Sequence, residues 1–295
     1  MQPDYFNNIE VKDGRFYKRS EDYDLSRLDN EYDWMVEASK YEQLEDLIPE
    51  DVAFDGKVLS MKYYPDGDLG LDSLTADTDT MKKYIDKAIE IFKRFKSIEV
   101  DLRQPTNCYD IYADKTMYRM VDNPFVGRYT HWIINGKEYD DFNSYLLLNC
   151  MNIASKSDIG VVHGDFFFSN MVKDGDKIKL VDPRGSFGNG SSICGDRRYD
   201  LAKLRHSISG GYDYIMDNRY SLVIYDNVIN YEVPFSYDSV ALTAYFDSKV
   251  EELGYNATDI KRIEGLLFLT MIPLHKDDFQ KQNAFWALAL EKLNG

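Results

Sequence analysis

The residues best suited to chemistry fall between positions 161 and 200. The apolar pair Val161-Val162 leads into His163-Gly164-Asp165, and Asn170 follows the aspartate by five positions. Twelve residues further on, a strand-like run over 177–181 delivers Asp182, followed by Pro183-Arg184-Gly185. Phosphoryl transfer needs parts of this kind. The Mg²⁺ ions that neutralise a triphosphate take hard oxygen ligands, and an Asp at the end of one strand beside an Asn at the end of its neighbour can supply them. A second carboxylate, outside the metal shell, must orient and deprotonate an attacking hydroxyl. Positioning and electrostatics then do most of the catalysis.

Such side chains have to be held by a scaffold, and the order of elements along the chain describes one. Residues 9–12 and 15–20 read as two short strands about an Asp13-Gly14 turn. A helix is expected over 25–47, with Leu28, Tyr32, Met35 and Val36 at helical spacing and Pro49 ending it. Residues 57–64 read as a strand, broken by Pro65-Asp66-Gly67. Residues 1–65 thus form a small strand–helix–strand lobe with a hinge near residue 65. The clearest helix follows over 78–96, with Thr78 as N-cap and Met81, Tyr84, Ile85, Ala88, Ile89, Phe92 and Phe95 on one face. The stretch 101–138 reads as irregular apart from a hairpin turned by Asn135-Gly136. A helix over 141–155 precedes the chemical core. After residue 200 the chain reads as helices over 199–208, 237–252, 258–272 and 277–293, with one hairpin over 221–234. The fold class is α+β, with a second, larger and mainly helical lobe over 66–295.

Three motifs occur in one order within about forty residues: His163-Gly164-Asp165-x4-Asn170, Val181-Asp182-Pro183-Arg184-Gly185, and Gly195-Asp196-x2-Tyr199-Asp200-Leu201-Ala202. Together they resemble the aminoglycoside phosphotransferase and choline kinase group, small-molecule kinases of the protein-kinase-like fold. The resemblance implies that Asp165 is the catalytic base, that Asn170 and Asp182 hold Mg²⁺, and that Asp200 is a buried carboxylate bracing the catalytic loop, with His163 orienting that loop. It implies ATP or GTP as co-substrate. In the small lobe, Phe16-Tyr17-Lys18-Arg19-Ser20 looks like the strand carrying a phosphate-binding lysine, and Glu31 looks like its ion-pair partner. Lys62-Tyr63-Tyr64 falls where the group presents backbone to an adenine edge. One feature departs from the pattern: the seventeen residues before Lys18 contain no G-x-G-x-x-G, so the hairpin that usually covers the triphosphate is expected to be shortened. Arg184, Asp196, Arg197 and Arg198 are candidates for contact with an acceptor. Phe166, Phe167 and Phe168 read as core and cleft wall.

Composition narrows the partners. The net charge of −16, from 51 acidic and 35 basic residues, leaves no basic footprint for nucleic acid. No run approaches the ~18–20 apolar residues that span a bilayer, and the first residues do not read as a signal peptide. A cytoplasmic enzyme with a small-molecule acceptor is expected. The acidic chain favours a cationic acceptor through its field, whereas Arg184 and the Arg197-Arg198 pair favour an anionic one. The resemblance offers a sugar or cell-surface glycan precursor, an amino alcohol or an aminoglycoside; the alternative is a non-catalytic kinase-fold module that binds nucleotide or a partner. Three dispersed cysteines, Cys108, Cys150 and Cys194, argue against a disulfide framework or a zinc site.

Overall fold

A computed structural model describes residues 7–20, 26–100, 107–140, 143–188 and 193–294. The small lobe opens with β1 (Asn7–Lys12) and β2 (Arg15–Ser20), joined by Asp13 and Gly14, both at positive φ as a tight two-residue turn requires. With β3 (Ala53–Phe54) and β4 (Val58–Lys62) they form an antiparallel sheet of order β1-β2-β4-β3. Alternation along β2 turns Phe16 and Lys18 to the buried face, and Lys18 lies opposite Leu59 of the central strand.

Helix α1 (Ser26–Ala38) packs on that face through Leu28, Glu31, Trp34, Met35 and Ala38. It is shorter than the expected 25–47, and residue 25 lies outside the described residues. After Ala38 the amides of Lys40 and Tyr41 reach back only three residues, to Glu37 and Ala38. That tightening turns the chain so that Leu44 and Leu47, the latter in a short 3₁₀ turn (Glu45–Leu47), enter the core. Val36, expected on the apolar face, is exposed, and Trp34 takes the buried place beside it.

The large lobe starts with α2 (Leu69–Ser73) and α3 (Thr78–Ser97). The N-cap of α3 is Asp77, not Thr78: the Asp77 carboxylate accepts from the Thr80 amide. The stretch expected to be irregular instead contains a π-wound turn, Asp110–Asp114, running into α4 (Lys115–Val121); residues 101–106 lie outside the described residues. Next come the hairpin β5 (His131–Ile134) and β6 (Lys137–Asp140), then α5 (Asn143–Ser155), whose expected first residues 141–142 are also outside the description.

Three short strands, β7 (Ile159–Val161), β8 (Met171–Asp174) and β9 (Lys177–Leu180), carry the chemical core, followed by β10 (Cys194–Asp196), α6 (Arg197–Ile208) and α7 (Tyr212–Met216). The chain ends in the hairpin β11 (Ser221–Tyr225) and β12 (Val228–Glu232) and the helices α8 (Ser239–Glu252), α9 (Ala257–Met271) and α10 (Phe279–Leu293). The two hairpins merge into one sheet, because β12 pairs in parallel with β5, Val228 opposite Ile133. Trp132 of that sheet meets Trp286 of α10 edge-on, and Phe125 stacks on the same indole at 5.2 Å. Such aromatic pairs add about 0.5–1.5 kcal/mol each beyond the area they bury. No described helix is long and apolar enough to cross a membrane.

Candidate active site

Strand β7 pairs with β10 and delivers the loop 162–170, while β8 and β9 form a separate antiparallel ladder, Met171 opposite Leu180. Asn170 directly precedes β8, and Asp182 follows β9 by two residues. The Val181 amide donates to the Asn170 carbonyl at 3.1 Å, so the two side chains emerge side by side. The Asn170 amide nitrogen donates to the Asp165 carbonyl at 2.9 Å, which leaves its side-chain oxygen for another partner.

The loop is held from below. Asp200, fully buried on α6, accepts from the amides of His163 (2.7 Å) and Gly164 (2.8 Å). Burial pushes the Asp200 carboxyl up to about 7, although these two amides oppose the shift. His163 is buried edge-on against Trp34, whose indole N–H donates to the Val162 carbonyl at 2.7 Å. Burial depresses the His163 imidazole to about 4, so it packs as a neutral ring. Two glycines are forced by contact as well as by positive φ. A Cβ on Gly164 would stand 2.6 Å from Cβ of Arg184, and one on Gly185 would overlap the backbone carbonyl of Asn30. Through Gly185, helix α1 of the small lobe rests directly on the segment after Asp182.

That contact aligns a bridge between the lobes. Lys18 Nζ lies 2.9 Å from Glu31 Oε2 and 2.8 Å from Asp182 Oδ1. Burial acts to raise the Asp182 carboxyl, but the Lys18 ammonium overrides it and holds the group below its ordinary value. Glu31 is buried more completely; desolvation dominates there and lifts it to about 8 despite Lys18. Asp182 itself sits at φ 56°, a left-handed conformation uncommon outside glycine and concentrated at functional sites.

Beside the bridge lies a cavity open to solvent. Phe16, Met61, Val172 and Val181 give it apolar walls suited to a flat ring, and Lys62, Tyr63, Tyr64, Ser169 and Asp182 complete the lining. The amides of Lys62 and Tyr63 already donate to the carbonyls of Glu50 and Gly14, both at 2.9 Å. The Lys62 ammonium pairs with Glu50 at 3.1 Å. The bond to Tyr63 fixes the Asp13–Gly14 turn at the hinge end of the sheet. Lys18 lies four positions beyond Gly14, about 13 Å of strand, so the turn does not cover the Lys18 end.

Asp165 projects from the loop towards α6, where Lys203 Nζ meets its Oδ1 at 2.6 Å. Burial tends to raise the Asp165 carboxyl; Lys203, aided by Arg184, outweighs that and keeps it below the ordinary value. Lys203 escaped the sequence reading, although it lies three residues after Asp200 on one helix and so shares its face. Arg184 stacks on Tyr199, its guanidinium 5.8 Å from the ring centroid and 3.1 Å from the hydroxyl. No carboxylate pairs with it among the described residues.

Three other expected acceptor contacts are corrected. Asp196 is fully buried, caps α6, and accepts from Tyr112, from the Asp158 amide and from Arg198. Arg198, itself buried, also donates to the Ile153 carbonyl at 2.6 Å. Arg197 pairs with Asp158 at 3.1 Å and covers Gly160. These groups are engaged within the lobe, where an adjacent acid–base pair stays buried because each neutralises the other.

No family model and no curated protein matches the sequence. Solved structures do match. An aminoglycoside phosphotransferase, APH(2")-IIa, in its ternary complex with streptomycin and ATP, aligns at TM-score 0.57 and 11% identity, covering 99% of this chain and 92% of that one. The fold is therefore the two-lobed, protein-kinase-like one. The choline kinase LicA from Streptococcus pneumoniae (TM-score 0.52, 12% identity, 98% and 89% covered) and a Plasmodium vivax ethanolamine kinase (0.52, 12%, 98% and 81%) share it. In this kinase-like frame the bridge Lys18–Glu31–Asp182 spans the two lobes, and Asp165 lies on the side of the large lobe.

Proposed function

We propose that the chain is a small-molecule kinase, moving the terminal phosphoryl group of ATP or GTP to a hydroxyl of a small acceptor. The observation that carries this is the meeting of Lys18, Glu31 and Asp182, drawn from three separate segments, at the edge of the cavity beside them. The cavity takes the base between Phe16, Met61, Val172 and Val181. The committed amides of Lys62 and Tyr63 leave the Tyr64 stretch of the hinge to face its edge. Lys18 takes phosphate oxygens, and Glu31 keeps it in place.

The donor set suits Mg²⁺: one carboxylate from Asp182 and the free side-chain oxygen of Asn170, completed by phosphate and water, is the sparse oxygen shell this ion takes. Bound there, Mg²⁺ neutralises charge on the phosphates. Asp165 orients the acceptor hydroxyl and receives its proton as the new P–O bond forms and the bond to the departing nucleoside diphosphate breaks. Its lowered proton affinity keeps it ionised and ready to accept. The acceptor classes considered are a sugar or glycan precursor, an amino alcohol and an aminoglycoside; solved neighbours contain streptomycin and gentamicin. Dependence on nucleoside triphosphate agrees with the cytoplasmic location expected above.

The test is nucleoside diphosphate release with Mg²⁺, ATP and a panel of hydroxyl acceptors. Asp165→Asn should lower turnover about 10²–10⁴-fold while ATP binding persists, and normal turnover in that variant rejects Asp165 as the base. One observation favours a second reading, a module that binds nucleotide without turnover: the Asp13–Gly14 turn is tied to the hinge and does not reach the Lys18 end. ATP binding with no release under any acceptor would select it.

A further inference from the structure

We propose that the acceptor carries a negative charge, a phosphate or carboxylate near the hydroxyl that is phosphorylated, and that Lys115, Arg119 and Arg184 bind it. The inference rests on the kinase assignment above and names the substrate class of that site. Its basis is a cluster of basic side chains around Lys115, beside a small cleft between α4, α6 and α9. Lys115, Tyr112, Tyr199 and Thr270 supply its polar lining, and Leu266 and Leu267 part of its apolar wall. The π-wound turn before α4 aims Lys115 into this space; such turns recur at functional sites. Among the described residues the Lys115 amine has neither a carboxylate partner nor a hydrogen-bond acceptor.

Three more basic groups lie within electrostatic reach of Lys115. Arg119 donates to the Thr270 carbonyl at 2.6 Å. Arg184 lies on Tyr199, and Lys203 joins the group to Asp165. Neither Arg119 nor Arg184 has a carboxylate partner among the described residues. The crowding registers on Lys115: burial first, then Arg184, Arg119 and Lys203, push its amine well below the ordinary value, with Asp165 opposing. Acidic residues outnumber basic ones 51 to 35 along the chain, yet among the described residues the charges that act on Lys115 most strongly are three basic groups and one carboxylate, Asp165. Partly buried charge without a counter-charge is costly. An acceptor bearing an amine would add a fifth positive group, and an anion would complete the set. The nucleotide does not supply that anion by occupying this space, because the two cavities share no lining residue.

The test measures ADP release from Mg²⁺–ATP by the full chain with three acceptor sets. One is neutral (glucose, glycerol), one amine-bearing (choline, ethanolamine, kanamycin) and one anionic (glucose 1-phosphate, glycerol 3-phosphate, glucuronate). Acceleration confined to the anionic set is expected, and the phosphate and carboxylate members identify the group. Lys115→Gln and Arg184→Gln should each raise KM for that acceptor about tenfold or more, with Lys115→Arg restoring most of it. Acceleration by amine-bearing or neutral acceptors alone overturns the inference, as does a KM unmoved in both Gln variants. ATP binding with no response to any anionic acceptor also overturns it while leaving the kinase assignment standing. Failure of Mg²⁺–ATP to bind the wild-type chain is a different result: it removes the kinase assignment, and the inference with it.

Discussion

Lys18 Nζ stands 2.8 Å from Asp182 Oδ1, a contact between strand β2 of the small lobe and the segment after β9 in the large one. The amine thus sits within reach of both a carboxylate suited to Mg²⁺ and the phosphates that the ion would neutralise. Lys18→Met should weaken ATP binding by about 10- to 100-fold, the value of a charge-assisted contact or two. Isothermal titration of the variant against ATP with Mg²⁺ measures this; an unchanged Kd would remove Lys18 from phosphate binding.

Lys203 sets the proton affinity of Asp165. With the ammonium present the carboxyl is held below its ordinary value; without it, burial acts unopposed except by more distant charges and the value rises. A base works only when deprotonated, so the acid limb of the kcat profile in Lys203→Met should move to higher pH. A pH–rate series on wild type and variant reads the displacement. A limb that stays in place, or moves the other way, would mean that Asp165 is not the group titrating.

Far from the cleft, Glu264 on α9 is fully buried between Arg205 and Lys292; the oxygen that faces Lys292 at 3.2 Å also accepts from Ser209 at 2.8 Å, and the other faces Arg205. Removing that carboxylate leaves the Lys292 ammonium without its ion-pair partner inside the lobe, while Arg205 keeps only Asp247. Glu264→Ala should cost about 3–5 kcal/mol, seen as a lower urea midpoint with an unchanged slope. A loss below about 1 kcal/mol would show that water enters and solvates the pair.

Much of this site could be read from the sequence, for local reasons. Asp13-Gly14 and Asn135-Gly136 predicted hairpins because both positions of a tight turn need positive φ, and all four residues adopt it. Asn170 and Asp182 flank a ladder whose two strands are three residues apart in sequence, so their proximity follows from simple pairing. Lys18 and Glu31 meet because one strand and the helix after it pack face to face. What was hidden depends on distant packing. The β5–β12 pairing joins residues 95 apart, and no local pattern announces it. Lys115 lies in a stretch without periodicity, where a π-wound turn shifts the helical phase. Arg197 and Arg198 looked available because charge is usually solvated; buried Asp196 and the partly exposed Asp158 draw them inward.

The central claim, a nucleotide site completed by Mg²⁺, is tested most directly by calorimetric titration of ATP into the wild-type chain and Asp182→Asn, with and without Mg²⁺. The account predicts binding that requires Mg²⁺ in the wild type and falls by at least about tenfold in the variant. No binding to the wild type, or binding indifferent both to Mg²⁺ and to the loss of the Asp182 carboxylate, would contradict it.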